Sequence, residues 1–315
     1  MRIVYFADGA WSHQAIDRLI KDPNVSIVCI VARYPLGDAI LSRVAADIGC
    51  PYRVPENVNS EEFLDELLGF NADLFVSMSY DQIFKAEITN MAPKGLINCH
   101  AGALPFYRGR NVLNWALING ESQFGVTVHY VDGGVDTGDI ILQSFGDIGI
   151  YDTYATLLDK AVSLCAATLC DAIELIKKDE VVPVVQSSIH PVGFYCARRV
   201  AGDELIDWNV SSERLHNFIR AITVPGPCAR AFVQGQEFAI VRSEPILGAP
   251  NYIGRCGEVV GVSDRGVVVK TSDSTILITE IAVVDDGGEV SETSVPRMKI
   301  GTRFELNGGG MQHEL

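Results

Sequence analysis

Four stretches in the first hundred residues are nearly unbroken runs of apolar side chains: RIVYFA (2–7), SIVCIVA (26–32), DLFVSMS (73–79) and GLINCH (95–100). None shows the in–out alternation of a sheet with one wet face. Continuous runs of this length suit strands covered on both sides, as in a parallel sheet flanked by helices. Helices are predicted between them near 12–21, 36–48 and 60–69. The last opens at NVNSEE, with Asn59 as cap and Glu62 three residues on. GVTVHYV and DIILQ supply two more strands. Leu157, Leu158, Ala161, Val162, Cys165, Leu169, Ile173 and Ile176 recur at helical spacing and predict one long helix over 153–178. The expected fold class is α/β, a Rossmann-like, doubly wound and mainly parallel sheet within residues 1–190.

The texture then changes. VVPVVQSSIHPVGFYCARRVAGDE (181–204) is broken by proline and glycine and reads as a crossing between units. Beyond it one helix carries Leu215, Phe218, Ile219 and Ile222 on a face. Short strands follow in RAFVQGQEFAIV, GEVVGVSDRGVVVKT and STILITEIAVV, with turns at QGQE and SDRG. This pattern predicts a smaller antiparallel barrel or sandwich over 204–306. The tail NGGGMQHEL is expected to be loose.

Composition narrows the function. A net charge of -15 over 315 residues disfavours a polyanionic partner, so no nucleic acid is expected. The eight cysteines include no CxxC pair and several lie in apolar runs, which fits a reduced cytoplasmic protein. MRIVYFADGA lacks the apolar core of a signal peptide, and no run approaches the roughly 18 residues of a membrane span. No metal is expected, because His, Cys and Asp are not at ligand spacing. FADGAWS after the first strand is not GxGxxG, and there is neither a GxSxG elbow nor a P-loop.

Three places hold candidate chemistry. Asn98 and His100 end a buried strand, where α/β sheets place reactive groups, and their spacing puts both side chains on one side of an extended chain. Alone, such a pair is more often a turn cap and a hydrogen-bonded histidine. VDGGVDTGDII (131–141) offers Asp136 and Asp139 on a glycine loop able to approach a flat ligand, or simply a hairpin turn. FYRGRNVLNWALINGE sets Arg108 and Arg110 before a helix start near 111, which favours an anion, with surface ion pairing as the even alternative.

Taken together, the Asn-x-His at a strand end, the loop ending in Leu-Pro, the arginine-glycine turn and the later Asp-Thr-Gly-Asp resemble the folate-dependent formyltransferase family. GDELIDWNVSSERLHNFIRAITVPGPCARAFV is similar to the start of that family's C-terminal domain, so the resemblance spans nearly the whole chain. YRGRNVLNWALINGE most resembles the nucleotide-sugar branch. The resemblance implies a barrel-like (OB-like) C-terminal domain, and formyl transfer from N10-formyltetrahydrofolate to the amine of a nucleotide-linked amino sugar. Methionyl-tRNA formyltransferase is the alternative. It further implies Asn98, His100 and Asp136 as the catalytic trio, and Met78, Tyr80, Gln82, Ile83, Asp132 and Val135 around the folate. Trp11, Ser12, Arg108 and Arg110 are implied to face the sugar nucleotide, in a homodimer of the sugar enzymes' kind. One departure stands out: relatives often have serine where HAGALP has Gly102.

Overall fold

The structure, a computed structural model, describes residues 1–285, 287–288 and 290–305. The tail expected to be loose lies outside the described residues. In chain order the elements are β1 (Arg2–Ala7), α1 (Gly9–Leu19), β2 (Ser26–Ala32), α2 (Ala39–Ile48), β3 (Tyr52–Arg53), α3 (Glu61–Gly69), β4 (Leu74–Met78), α4 (Ala86–Thr89), β5 (Leu96–His100), β6 (Arg108–Gly109), α5 (Val112–Ile118), β7 (Gln123–Tyr130), β8 (Ile140–Asp147), α6 (Tyr154–Lys177), α7 (Gln186–Ile189), β9 (Tyr195–Cys196), α8 (Ser212–Ile222), β10 (Ala229–Val233), β11 (Gln236–Pro245), β12 (Val259–Ser263), β13 (Gly266–Lys270) and β14 (Thr275–Val283).

The apolar runs form a seven-stranded sheet in the order β3-β2-β1-β4-β5-β7-β8. Pairing is parallel from β3 through β5 and antiparallel at β5–β7 and β7–β8. Burial of β1 and β4 is complete or nearly so, which explains why their sequences do not alternate. The chain enters at β1, winds outward to β3, then returns to β4 and winds the other way. With right-handed crossovers this order places α1 and α2 on one face of the sheet and α3, which returns the chain to β4, on the other. The cap of α3 is Ser60, not Asn59. Asn59 instead fastens the segment after β4, donating to the carbonyl of Ile83 and accepting from Lys85 N–H.

The chain divides into two compact units. The first comprises 1–112, 123–147 and 158–197; the second comprises 113–122, 148–157 and 198 onward. In the second unit five antiparallel strands lie in the order β10-β11-β14-β13-β12. Gln234 and Gly235 both take positive φ, 51° and 82°, the backbone a two-residue hairpin turn needs between β10 and β11. Helix α8 is capped by Ser211, whose Oγ accepts from Arg214 N–H, and it buries Leu215, Ile219 and Ile222. Among the described residues no helix is long and apolar enough to cross a membrane, and no group of His, Cys, Asp and Glu is arranged to hold a metal ion.

Candidate active site

The winding reverses between β1 and β4, so the loops that leave these strands part at the carboxyl edge of the sheet, where such folds open a crevice. Register aligns Ala7 with Met78 and Met78 with Cys99, so β5 ends at the same edge with His100 as its last residue. Antiparallel β7 sets His129 opposite Asn98 and Thr127 opposite His100. Sequence reading passed over His129, and the only signal was an isolated histidine in an apolar strand.

This register builds a compact polar cluster. His129 is 2 % exposed; its Nδ1 lies 2.7 Å from the Tyr130 carbonyl and therefore carries the proton. Nε2 then accepts from the Asn98 amide at 3.3 Å, which fixes the rotamer of Asn98. Asp136 arrives from the loop after β7 in the left-handed region, φ 55°. Its Oδ2 is 3.7 Å from His100 Nδ1 and its Oδ1 is 3.6 Å from His129 Nε2. Gly109 N–H donates to Oδ2 at 2.8 Å. One carboxylate thus faces two imidazoles, at separations longer than direct hydrogen bonds.

Electrostatics separates the two partners. Burial alone would raise the Asp136 carboxyl, but the nearby His100 and His129 imidazoles and the Gly109 N–H outweigh it and hold the group at about 2. Asp136 is therefore ionised at neutral pH. For His100, burial dominates and lowers its proton affinity below the ordinary 6.5; Asp136 and the Tyr107 carbonyl pull it back only in part. The charge of Asp136 does not set the sign, because the ring is almost fully enclosed. His100 Nε2 donates to the Tyr107 carbonyl at 2.7 Å, leaving Nδ1 as the basic nitrogen facing Asp136.

Gly102 leaves the space beside His100 open. A Cβ at this position would lie 2.4 Å from the Tyr107 carbonyl oxygen and 2.5 Å from His100 Nε2. The bond that orients His100 exists because nothing occupies that space. Thr127 and Gln143 secure the same loop: Thr127 Oγ1 donates to the Gly102 carbonyl at 2.7 Å, and Gln143 Nε2 donates to the Leu104 carbonyl at 3.0 Å.

A second residue missed by sequence reading is Gln186, in the stretch expected to be a plain crossing. It is buried in the short helix α7. Its Nε2 donates to the carbonyls of Asp136 and Gly138 at 2.9 and 2.8 Å, and its Oε1 accepts from Arg108 Nε and Nη2 at 3.1 and 2.6 Å. Arg108 is therefore tied to the loop of Asp136 and stacks over the Tyr195 ring at 5.5 Å. Arg110 stays exposed, with its N–H on the Cys196 carbonyl.

The remaining expected ligand residues divide. Ser12 is fully buried and its hydroxyl donates to the Gly9 carbonyl at 2.8 Å, so it braces the first loop from beneath instead of facing a substrate; Trp11 beside it is half-buried. Met78 is buried and accepts from the Tyr5 hydroxyl at 3.4 Å. Gln82 has both ends of its amide engaged, accepting from Val58 N–H and donating to the Pro55 carbonyl. Asp132 accepts from Gly134 N–H and the Thr137 hydroxyl and so shapes its own loop. Ile83 and Val135 stand 69 % and 47 % exposed. Tyr80 stacks on Phe84 at 5.6 Å, and its hydroxyl is buried without a hydrogen-bond partner among the described residues.

An ionised carboxylate, a neutral imidazole and an oriented amide at one sheet edge define an acid–base site suited to acyl-type transfer. The chain belongs to the formyl transferase family: residues 1–173 match the model described as formyl transferase, and 200–285 match the formyl transferase C-terminal domain. It is a transferase of formyl groups. Two methionyl-tRNA formyltransferases are similar in sequence. That of Fusobacterium nucleatum is 36% identical over 89% of this chain and 91% of its own, and that of Desulforamulus reducens is 31% identical over 89% and 90%. Among solved structures, WlaRD, a sugar 3N-formyl transferase crystallised with dTDP and 5-N-formyl-THF, shares the fold with TM-score 0.66 at 20% identity, covering 90% of this chain and 97% of that one. An N-formyltransferase from Helicobacter canadensis, solved with folinic acid and dTDP-3-aminofucose, gives TM-score 0.64 at 19% identity, covering 88% and 98%. At such identity these likenesses speak to fold alone.

Proposed function

We propose that the protein transfers a formyl group from N10-formyltetrahydrofolate to the primary amine of a nucleotide-linked amino sugar. The observation that carries the reaction half is Asp136, ionised and facing His100 Nδ1 across 3.7 Å. A neutral imidazole with its free nitrogen toward a fixed negative charge is ready to accept a proton, and the ion pair then formed stabilises the product of that step. Such a base contributes roughly a hundredfold to ten-thousandfold in rate. The Asn98 amide, held by His129, donates toward the carbonyl oxygen on which negative charge develops, a role typically worth about a hundredfold to a thousandfold.

The donor supplies the formyl carbon, and the residues at the crevice suit its flat, polar-edged ring. The unpartnered Tyr80 hydroxyl asks for one hydrogen bond that the described residues do not provide, and Ile83 and Val135 offer exposed apolar edges. Met78 backs this wall, while Gln82 and Asp132 shape the two loops through their internal bonds.

The sugar half rests on the acidic chain, on YRGRNVLNWALINGE and on exposed Arg110. The sequence relatives favour a second reading, methionyl-tRNA as acceptor. A panel of nucleotide-linked amino sugars run against charged initiator tRNA, read by mass gain of one formyl group, separates the two; tRNA turnover matching the best sugar would overturn the order. The proposal includes a cytoplasmic homodimer, which light scattering checks. It also includes barrel-like closure of the second unit, supported by isolated bridges from Arg303 to Glu258 and from Glu305 to Phe232 in β10.

A further inference from the structure

The stretch that sequence reading treated as a crossing carries the strongest feature left over by the site. Residues 101–120 and 181–197 contain no Asp or Glu, although the chain as a whole has 40 acidic residues and a net charge of -15. These two segments meet in the small parallel ladder β6–β9, where Arg108 pairs with Tyr195 and Gly109 with Cys196. The ladder brings together basic and aromatic side chains on segments that carry no acidic residue of their own, with the Asp136 carboxylate bound at the Gly109 N–H.

The aromatic residues of the ladder divide by their surroundings. Phe194 is clamped, with ring centroids 5.5 Å from Phe106 and 4.9 Å from Tyr107, and so anchors the strand. Tyr195 differs: the guanidinium of Arg108 lies 5.5 Å from its centroid and the residue is 56 % exposed. Arg108 itself is held by the uncharged amide of Gln186 at two nitrogens, so its charge is fixed in place without being neutralised by a carboxylate. Arg110 continues the ladder through its N–H to the Cys196 carbonyl at 3.1 Å, and its side chain is exposed. Tyr107, one residue before the ladder, gives its carbonyl to His100. A rigid ring–guanidinium stack, an adjacent exposed cation and a direct chain connection to the catalytic histidine make a site for a flat base attached to phosphate.

We propose that Tyr195, stiffened by Arg108, is the platform on which the nucleobase of the acceptor stacks, with Arg110 taking the adjoining phosphates. This rests on the reading of the acceptor as a nucleotide conjugate and names the residue that holds its base. The same chemistry would serve the base of a free nucleotide or of a terminal nucleotide of RNA.

The test is calorimetric titration of the purified protein with UDP, dTDP, ADP, inorganic pyrophosphate and a CCA trinucleotide, in wild type, Tyr195→Leu, Tyr195→Phe and Arg110→Ala. Tyr195→Leu keeps bulk without a ring and is expected to weaken the best nucleotide about tenfold or more, the loss of one base–aromatic stack. Tyr195→Phe should bind as wild type, and pyrophosphate should respond to Arg110→Ala but not to Tyr195→Leu. A nucleoside diphosphate binding more tightly than the trinucleotide identifies the free nucleotide as the source; the reverse order identifies RNA. Unchanged nucleotide affinity in Tyr195→Leu, with melting temperature preserved, overturns the proposal, as does a wild type that binds none of the nucleotides. Turnover separates this from the acceptor reading. If amino sugars are formylated with the same KM by Tyr195→Leu, the platform fails and the reading stands. If nucleotides bind through Tyr195 but no amino sugar is formylated, the platform stands and the reading fails.

Discussion

Two groups of buried ionisable residues, one in each unit, are arranged on opposite principles. In the second unit Lys270 is fully enclosed, yet its ammonium is satisfied by the carbonyls of Thr271 and Ser274 at 2.8 and 3.3 Å and by the face of Tyr252 at 4.3 Å. Arg220 likewise donates to Asn217 Oδ1 and to the carbonyls of Gly149 and Asp152. His216 is bracketed by Ser243 Oγ and the Ile150 carbonyl. The hydrogen bonds to each come from neutral groups, with the Asp152 carboxylate acting on Arg220 from nearby. In the first unit Asp136 faces two imidazoles at 3.6 and 3.7 Å without closing a direct hydrogen bond to either. Saturation serves structure, whereas opposed groups held slightly apart can still change partner or protonation state.

Breaking the reactive group should have the largest effect. His100→Ala is expected to lower kcat by roughly a hundredfold to ten-thousandfold while tetrahydrofolate binding, measured by titration, is retained. Asp136→Asn comes next. Asn tolerates the left-handed backbone at this position, so the substitution removes charge without adding strain. A fall of about a hundredfold is expected. The pH profile of kcat/KM sharpens the point. His100 must be neutral to act, and burial holds its proton affinity below 6.5, so activity should fall only as pH drops below that value. Asp136, at about 2, contributes no limb of its own in the accessible range. Because Asp136 raises the affinity of His100, Asp136→Asn should move the acid limb to still lower pH; movement upward would show that the two groups do not interact as described.

Smaller effects probe the support. Gln186→Leu preserves volume but abandons the carbonyls of Asp136 and Gly138, and kcat is expected to fall about tenfold through misplacement of the loop. Gln186→Glu keeps an acceptor for Arg108 and loses the two donors, so it should fall alike; full activity in that variant would reduce Gln186 to a partner of Arg108. At the other end of the comparison, Lys270→Ala should destabilise the second unit by about 2–5 kcal/mol, seen as a lower melting transition, with kcat of the folded protein unchanged.

The apolar runs made the parallel sheet legible, because strands buried on both faces cannot alternate, and Asn98 and His100 were legible as strand-end residues. Asp136 was visible as one of two acids on a glycine loop. His129 was hidden because its role depends on the β5–β7 register that sets it opposite Asn98, which no local pattern encodes. Gln186 was hidden because fifty residues of chain, including the 24-residue helix α6, separate it from Asp136. The side chains of Ser12, Gln82 and Asp132 turn inward or onto neighbouring loop backbone. Such choices are made by backbone hydrogen bonding after the loop has folded. Gly102 read as a loss; the space it leaves is what allows the Tyr107 carbonyl to reach His100.

The convergence of His100 and Asp136 is tested most directly by a double-mutant cycle on single-turnover formyl transfer, comparing His100→Ala, Asp136→Asn and the double variant. If Asp136 acts through His100, the double variant will be no slower than His100→Ala alone. Rate losses that simply add, or a His100→Ala protein as fast as wild type, would contradict the account.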